Sequence, residues 1–525
     1  SSIPNVMFQV INGLDKLEFL ELRSNHLETI PADAFAFAGS TLKKLYLSHN
    51  SIKHIDADAF TNISHLEILD ISHNHLIHLN DYTFKPLKNL QFLTMYRNQF
   101  QNLSEYLFQA NKKLISLDIS QNNQLEPLPA QLFHGLTSLS NLSLAHCNLT
   151  SISVDTRQFV RNIPNLLSLN VKRNQLKNLT LNGLFAWNAK LSKVDFSSNQ
   201  IEIISADIFT LNSTEIIELN LNKNLLSELP ENLFIEARKI RKLSVSSNRL
   251  RQISPMTFMV LRELEQLDLS HNFITTTNTI AANALPFGLG GYLRKIDLSY
   301  NQLFDFDADI RQMNWNFYLH IAEINLRNNN FTGTLWVPNQ MASLESQFQL
   351  DVSNNQFESV NVQEILSTIP INDRSQASIT KETLVRLDNN PLDCDCHLFP
   401  FLNYTKSVGR LYGKHFDTIN RKVLFMIDAN PKITCHSPEN LINRPLDNLK
   451  LSELICPIDD ERICPKQCEC KYRSSDRSAI INCDNRDIYD IPAEINLSKH
   501  YNISLKDSGI ATSVQGVIFQ LRDNH

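Results

Sequence analysis

The sequence predicts a solenoid of short stacked repeats. The expected form is an α/β-type horseshoe with a parallel β-sheet on the concave face and loops and short helices on the convex face. Disulfide-bonded caps are expected to close it. Three observations predict this. A leucine–asparagine motif recurs from Leu17 to Asn390, a phenylalanine accompanies most copies at a fixed offset, and eight of the 9 cysteines lie between Cys394 and Cys483.

The motif sets the fold. Leu17-x-x-Leu20-x-Leu22-x-x-Asn25-x-Leu27 returns as Leu42-x-x-Leu45-x-Leu47-x-x-Asn50-x-Ile52 and as Leu66-x-x-Leu69-x-Ile71-x-x-Asn74-x-Leu76. The asparagine position continues through Asn98, Asn122, Cys147, Asn174, Asn199, Asn224, Asn248, Asn272, Asn301, Asn329, Asn355 and Asn390, which makes fifteen copies. Most are 24 or 25 residues apart, the leucine-rich-repeat range. Within each copy the x-Leu-x-Leu-x core alternates, so it forms a short strand with leucines inward and intervening residues toward solvent. The asparagine turns the chain out of the strand, and its amide is expected to hydrogen-bond the next repeat. Each such bond is worth about 1 kcal/mol net, and a buried loss costs more.

Phe60, Phe84, Phe108, Phe133, Phe185, Phe234 and Phe258 fall 14 residues before the next ladder position, and Phe159 and Phe209 fall 15 before. That offset places one ring per repeat in a convex-side core spine. Cys147 occupies an asparagine position and reads as a buried, unpaired structural thiol. After Asn272 the spacing lengthens to 29, 28, 26 and 35 residues. The first insertion carries Phe287-Gly288-Leu289-Gly290-Gly291, a turn-forming loop without the lysine and hydroxyl of a phosphate loop. The last carries the polar stretch Asp373-Arg374-Ser375-Gln376. Ile3-Pro4-x-x-x-Phe8 resembles the back half of an earlier repeat with no cap before it, so the solenoid is expected to be incomplete at its N-terminal end.

Composition narrows the function. Hydrophobic content of 42% and charged content of 20% exclude a long disordered chain. The net charge is −6 and no basic run occurs, which argues against nucleic acid. No apolar stretch of about 20 residues is present, so any membrane attachment would come from a span outside this chain. There is no Gly-x-Ser-x-Gly, His-Glu-x-x-His or phosphate-loop sequence, so an enzyme is not expected, and neither is a cofactor or a metal. His49, His73 and His271 sit beside ladder positions as repeat decoration.

The cysteines follow the repeats. Asn390-Pro391-Leu392-Asp393-Cys394-Asp395-Cys396 is succeeded by Cys435 and Cys456, then by Cys464-Pro465-x-x-Cys468-x-Cys470 and Cys483. Cys-x-Cys pairs without Cys-x-x-Cys favour disulfides over zinc, although spacing alone leaves many pairings open. Ten sequons point to a secreted, glycosylated chain: Asn62, Asn102, Asn141, Asn148, Asn178, Asn212, Asn330, Asn403, Asn496 and Asn502. The expected organisation is a solenoid over 1–390, a C-terminal-type cap over 391–457, an N-terminal-type cap over 458–492 and the start of a second short repeat block over 493–525.

A C-terminal cap running almost directly into an N-terminal cap resembles insect Toll receptors. Cys456-Pro457-Ile458-Asp459-Asp460, the second cysteine cluster and Ala479-Ile480-Ile481-Asn482-Cys483 are similar to that family's junction. The likeness runs from Leu17 to about Ile491, and Asn502-Ile503-Ser504-Leu505 fits only a degenerate repeat. The resemblance implies the pairs Cys394–Cys435, Cys396–Cys456, Cys464–Cys470 and Cys468–Cys483. It also implies a cell-surface receptor ectodomain, on the extracellular side of a single-pass membrane protein, that binds a dimeric Spätzle-type cystine-knot cytokine and pairs with a second receptor to signal. Slit-like matrix proteins, which also join arrays through consecutive caps, are the alternative, together with soluble immune leucine-rich-repeat proteins.

A ligand surface can be placed by the alternation. Outward strand residues of the first four repeats are Phe19, Glu21 and Arg23, then Lys44, Tyr46 and Ser48, then Ile68, Asp70 and Ser72, then Phe92, Thr94 and Tyr96. Phe19, Tyr46, Phe92 and Tyr96 are expected to form an aromatic stripe flanked by Glu21 and Arg23, a composition that suits a protein interface. Asn141 falls on an outward strand position, so a glycan there would hinder ligand near the sixth repeat and favour the early ones.

Overall fold

The computed structural model describes residues 14, 16–125, 128–151, 162–179, 190–209, 215–275, 292–304, 320–336, 348–361, 381–407, 423–428, 433–458, 464, 468–484, 501–504, 511–514 and 516–520. The chain forms two compact units, Ser1–Asp297 and Leu298–His525. This division falls inside the 1–390 span read from the repeats, where the spacing first lengthens.

In the first unit each repeat contributes one three-residue strand, and consecutive strands pair in parallel. The order runs from Phe19–Glu21 through Lys44–Tyr46, Ile68–Asp70, Phe92–Thr94, Ser116–Asp118, Asn141–Ser143, Ser168–Asn170, Lys193–Asp195, Glu218–Asn220, Lys242–Ser244 and Gln266–Asp268 to Lys295–Asp297. The register has no slip. Leu20, Leu45, Leu69, Leu93, Leu117 and Leu142 lie opposite one another, as Val194, Leu219, Leu243, Leu267 and Ile296 do. A one-residue shift would turn every leucine to solvent, so burial fixes the pairing.

The ladder asparagines tie the turns, and they reach toward the preceding repeat rather than the next. Asn50 Nδ2 donates to Leu22 O and Leu47 O, both at 2.9 Å, and its Oδ1 accepts from Leu27 N–H at 3.1 Å. Asn74 treats Leu47 O, Ile71 O and Ile52 N–H alike. The reason is local: the earlier coil leaves a carbonyl and an amide without strand partners where it turns, and the next asparagine fills both. The residue just before each ladder position is left-handed, with φ between 51° and 58° from Ser24 through His49, His73, Arg97, Gln121, His146, Arg173 and Ser198 to His271.

Phenylalanines form the expected spine where it is described. Centroids of Phe60 and Phe84 lie 6.3 Å apart, Phe84 and Phe108 6.0 Å, and Phe108 and Phe133 6.3 Å. Phe209, Phe234 and Phe258 continue the stack at 6.0 Å steps. Phe35 joins it, 6.0 Å from Phe60. Phe159 and Phe185 lie outside the described residues, as do the glycine-rich loop at 287–291 and the polar stretch at 373–376. Cys147 is buried and unpaired, and its thiol donates to Ile119 O at 3.4 Å.

The second unit continues the repeat with Glu323–Asn325, Phe348–Asp351 and Lys381–Arg386, paired in parallel, and Val423–Asp428 adds a further parallel strand. Asn329, Asn355 and Asn390 keep the ladder, and Phe331 stacks on Phe357 at 6.0 Å. Beyond them, helix Phe399–Ser407 buries Phe401 and Leu402. Disulfides join Cys394 to Cys435, Cys396 to Cys456, Cys464 to Cys470 and Cys468 to Cys483.

The two caps are not separate at 457/458. Ile455–Pro457 pairs antiparallel with Glu469–Arg473, which pairs with Ser478–Asn482. Cys396, Cys456, Ile458, Cys470, Tyr472, Ala479, Ile481 and Cys483 pack as one core. A three-residue strand cannot bury its own apolar face, so the two cysteine modules share one. The strand parallel to Ser478–Asn482 is Gly516–Gln520. Tyr501–Ser504, where the degenerate repeat was expected, instead pairs antiparallel with Ala511–Val514. Ile488, Ile491 and Pro492 lie outside the described residues.

Candidate ligand-binding face

The parallel register arranges the solvent face of the first four strands into rows. One row is Phe19, Lys44, Ile68 and Phe92, and the next is Glu21, Tyr46, Asp70 and Thr94. Arg23, Ser48, Ser72 and Tyr96 follow as the chain leaves each strand. The four aromatics therefore fall in three rows, and a continuous stripe does not form. Lys44 and Ile68 separate Phe19 from Phe92, while Asp70 stands between Tyr46 and Thr94. Alternation alone assigns a residue to the solvent face. The row it joins depends on whether it lies one, three or five places into the motif.

Two local clusters replace the stripe. In the first, Phe19 packs on Tyr46 with ring centroids 5.4 Å apart, and the Arg23 guanidinium lies 4.0 Å above the Tyr46 ring. Arg23 also donates to Ser48 Oγ at 3.1 Å and to Asp70 Oδ2 at 3.2 Å, and it reaches Glu21 Oε1 at 3.4 Å. One arginine thus braces three successive strands. Asp70 is held in turn, because its Oδ1 accepts from Ser72 N–H at 3.0 Å and Ser72 Oγ at 2.6 Å. The cluster presents a 48% exposed Phe19 beside a preorganised cation, and a rigid aromatic with a fixed charge loses little entropy on binding.

In the second cluster, His49 stacks on His73 at 3.9 Å, and His73 meets the Tyr96 ring edge at 5.0 Å. Burial holds the His73 imidazole below its ordinary pKa, with His49 and Arg97 adding repulsion that outweighs Asp70. Phe92 is 41% exposed and stands in register with Ile68. Alternation places Ser48 and Asp70 on the solvent face, but it does not show that Arg23 reaches both of them or that His49 and His73 stack.

Farther along the sheet the face turns polar. Glu218 lies in register between Lys193 and Lys242, 3.2 and 3.4 Å away. Burial opposes its ionisation, but the two ammonium groups together hold its carboxyl below the ordinary range. Asn141 is exposed on the face itself. Asn62, Asn102, Asn148, Asn178, Asn330 and Asn403 are also exposed, whereas Asn212 and Asn496 and the Asn502 side chain lie outside the described residues. Within the caps, Cys396 and Cys456 lie close to His397, but their sulfurs are bonded to each other and offer no thiolate for a metal. No described helix is long and apolar enough to cross a membrane.

The Leucine rich repeat family matches residues 40–100, 95–149, 214–274 and 238–303. Protein toll of Drosophila melanogaster is 26% identical over 215 residues, 35% of this chain and 18% of that protein. Toll-like receptor 9 of Mus musculus is 37% identical over 128 residues, 23% of this chain and 11% of that one. A chain of the solved Toll–Spatzle complex from Drosophila superposes with a TM-score of 0.74 at 25% identity, covering 100% of this chain and 64% of its own length. The chain therefore spans less than two thirds of each of these relatives.

Proposed function

Because the chain is a Toll-like leucine-rich-repeat ectodomain, we propose that it is the ligand-recognising part of a cell-surface receptor for a Spätzle-type cystine-knot cytokine dimer. The observation that carries this reading is the likeness along the whole chain, caps included, to a component of a Toll–Spatzle complex. The reading has the chain act by binding and not by catalysis. A dimeric ligand would engage the early strands, bring two receptors together and so pass the signal to parts of the receptor beyond this chain, on the other side of a membrane.

The surface chemistry supports the early strands as the contact. Phe19, Tyr46 and Arg23 form an anchored aromatic–cation group of the kind that dominates protein interfaces. A glycan on Asn141 would stand in the strand row that holds Phe92 and Ser116 and would bound the contact on that side.

Titration calorimetry with a Spätzle-type dimer tests the placement. Tyr46→Ala, and reversal of Glu21 and Arg23 to opposite charges, should each weaken binding by roughly 30-fold, the scale of about 2 kcal/mol that an interface anchor contributes. Tyr96→Ala should weaken it less, because its ring already packs on His73. Unchanged affinity in all of them, with circular dichroism intact, would move the site off this face.

A further inference from the structure

The residue before each ladder position is forced into the left-handed region, and that backbone costs about 1–2 kcal/mol for most side chains. Asn, Asp and His tolerate it best. The second unit follows the preference at Asn328, Asn354 and Asn389, though not at Tyr300. The first unit follows it only in its histidines. From the second to the seventh repeat the position holds His49, His73, Arg97, Gln121, His146 and Arg173. Arginine has no conformational reason to be there. Aspartate, which has one, is absent.

The flanking positions share the bias. The residues just before this row are Ser48, Ser72, Tyr96, Ser120, Ala145 and Lys172, and those just after the ladder are Ser51, His75, Gln99, Asn123, Asn148 and Gln175. A band three residues wide thus crosses six repeats without one carboxylate, in a chain whose net charge is −6. Two shallow grooves run along it. One, of about 460 Å³, is lined by His49, His73, His75, Arg97, Gln99 and Gln121. The other, of about 420 Å³, is lined by His146, Asn148, Arg173 and Gln175 among others.

We propose that this band, which borders the aromatic cluster at Ser48 and Tyr96, is a second binding surface that takes a carboxylate-rich polypeptide segment of a partner protein and takes up protons as it does so. Imidazoles, the Arg97 and Arg173 guanidinium groups and the Lys172 ammonium supply the charge, and the glutamines and asparagines donate to carboxylate oxygens that the charges bring in. His49 faces His73, while His73 faces His49, Arg97, Asp70 and the Tyr96 edge. In the free protein burial, and after it His49 and Arg97, oppose protonation of His73. An acidic segment laid beside His73 and Arg97 adds an attraction that favours the protonated imidazole, so the proton-bound and ligand-bound states stabilise one another.

Fluorescence anisotropy with a labelled ten-glutamate peptide on the whole chain is the test. Affinity should rise about tenfold from pH 7.5 to pH 5.5, the change expected when roughly one imidazole proton is linked to binding. The triple substitution His49→Gln, His73→Gln, Arg97→Gln should abolish both the binding and its pH dependence. Tyr46→Ala should leave both unchanged, which separates this surface from the cytokine site. A triple variant that binds like the native chain, an affinity indifferent to pH, or capture of a heparin hexasaccharide in place of the peptide would each overturn the proposal. The three side chains lie outside the core, so the variant should stay folded by circular dichroism, and Tyr46→Ala binding of the peptide controls for any local loosening.

Discussion

Replacing Asn74 by alanine should open the solenoid locally. The side chain is 4% exposed and has no water to replace its partners. Its two N–H groups serve Leu47 O, Ile71 O and Ser72 O, each at 3.1 Å, and its Oδ1 takes the Ile52 N–H at 3.0 Å. The substitution therefore removes the bonds of two N–H groups at about 1 kcal/mol each, and the stranded Ile52 amide adds about 1–2 kcal/mol as a buried unmatched donor, so the loss is about 3–4 kcal/mol. In a solenoid the loss is felt mainly by adjacent turns, so a single global unfolding free energy would misreport it. Hydrogen exchange is the suitable assay. Protection of the Ile52 amide, and of His75, whose N–H donates to Ile52 O at 2.9 Å, should fall by roughly two orders of magnitude. Amides around Asn248 should not change. Asn74→Asp should be worse at neutral pH, because it points a carboxylate at three carbonyl oxygens. Protection within threefold of the native value in the alanine variant would refute the claim that the amide ladder, and not leucine packing alone, holds successive turns together.

Other outcomes follow from the same geometry. Burial, partly offset by backbone hydrogen bonds at Asn122 and Gln121, pushes the Cys147 thiol up to about 12. Native chain at pH 8 should thus react with a thiol-specific reagent only as fast as it unfolds, and prompt labelling would contradict this. Asp476 is held at about 2 by the Arg473 guanidinium and the Ser478 hydroxyl. Its folded value lies below its ordinary 3.8, so its contribution to stability is present above about pH 4 and is lost as pH falls toward 2. Asp476→Asn should flatten that part of an acid titration of the caps followed by near-ultraviolet dichroism. Removing the Cys396–Cys456 bond by a double Cys→Ala change should cost the cap core about 2–5 kcal/mol. It should also loosen Glu469–Arg473 and Ser478–Asn482, since both cysteines pack in the shared core.

Much of this molecule is legible in one strand's worth of sequence. Leu42-x-x-Leu45-x-Leu47-x-x-Asn50 states which side chains go inward, and its recurrence states that the strands stack in parallel, because no copy can bury its leucines alone. The phenylalanine offset foretold the spine for the same reason. The direction of the asparagine bonds did not follow, since it depends on which neighbour leaves an amide and a carbonyl open. The aromatic stripe failed because alternation assigns a face but not a row. Phe19 and Tyr46 meet across one register step, whereas Phe92 lies three strands from Phe19. Arg23 was picked as a ligand contact, yet its bonds to Ser48 and Asp70 also brace the sheet, a role visible only once residues 25 and 47 positions apart are seen side by side. The fused caps escaped as well: spacing marks two cysteine modules, but their common core depends on Ile455–Pro457 pairing with Glu469–Arg473.

Light scattering on a sizing column, with the chain alone and with a Spätzle-type cystine-knot dimer, addresses the receptor reading most directly. The expected result is a new, heavier species whose mass includes the cytokine dimer and at least one copy of the chain, and which needs a higher concentration to form in Tyr46→Ala. Two peaks at the separate masses, at concentrations well above the micromolar range, would contradict it.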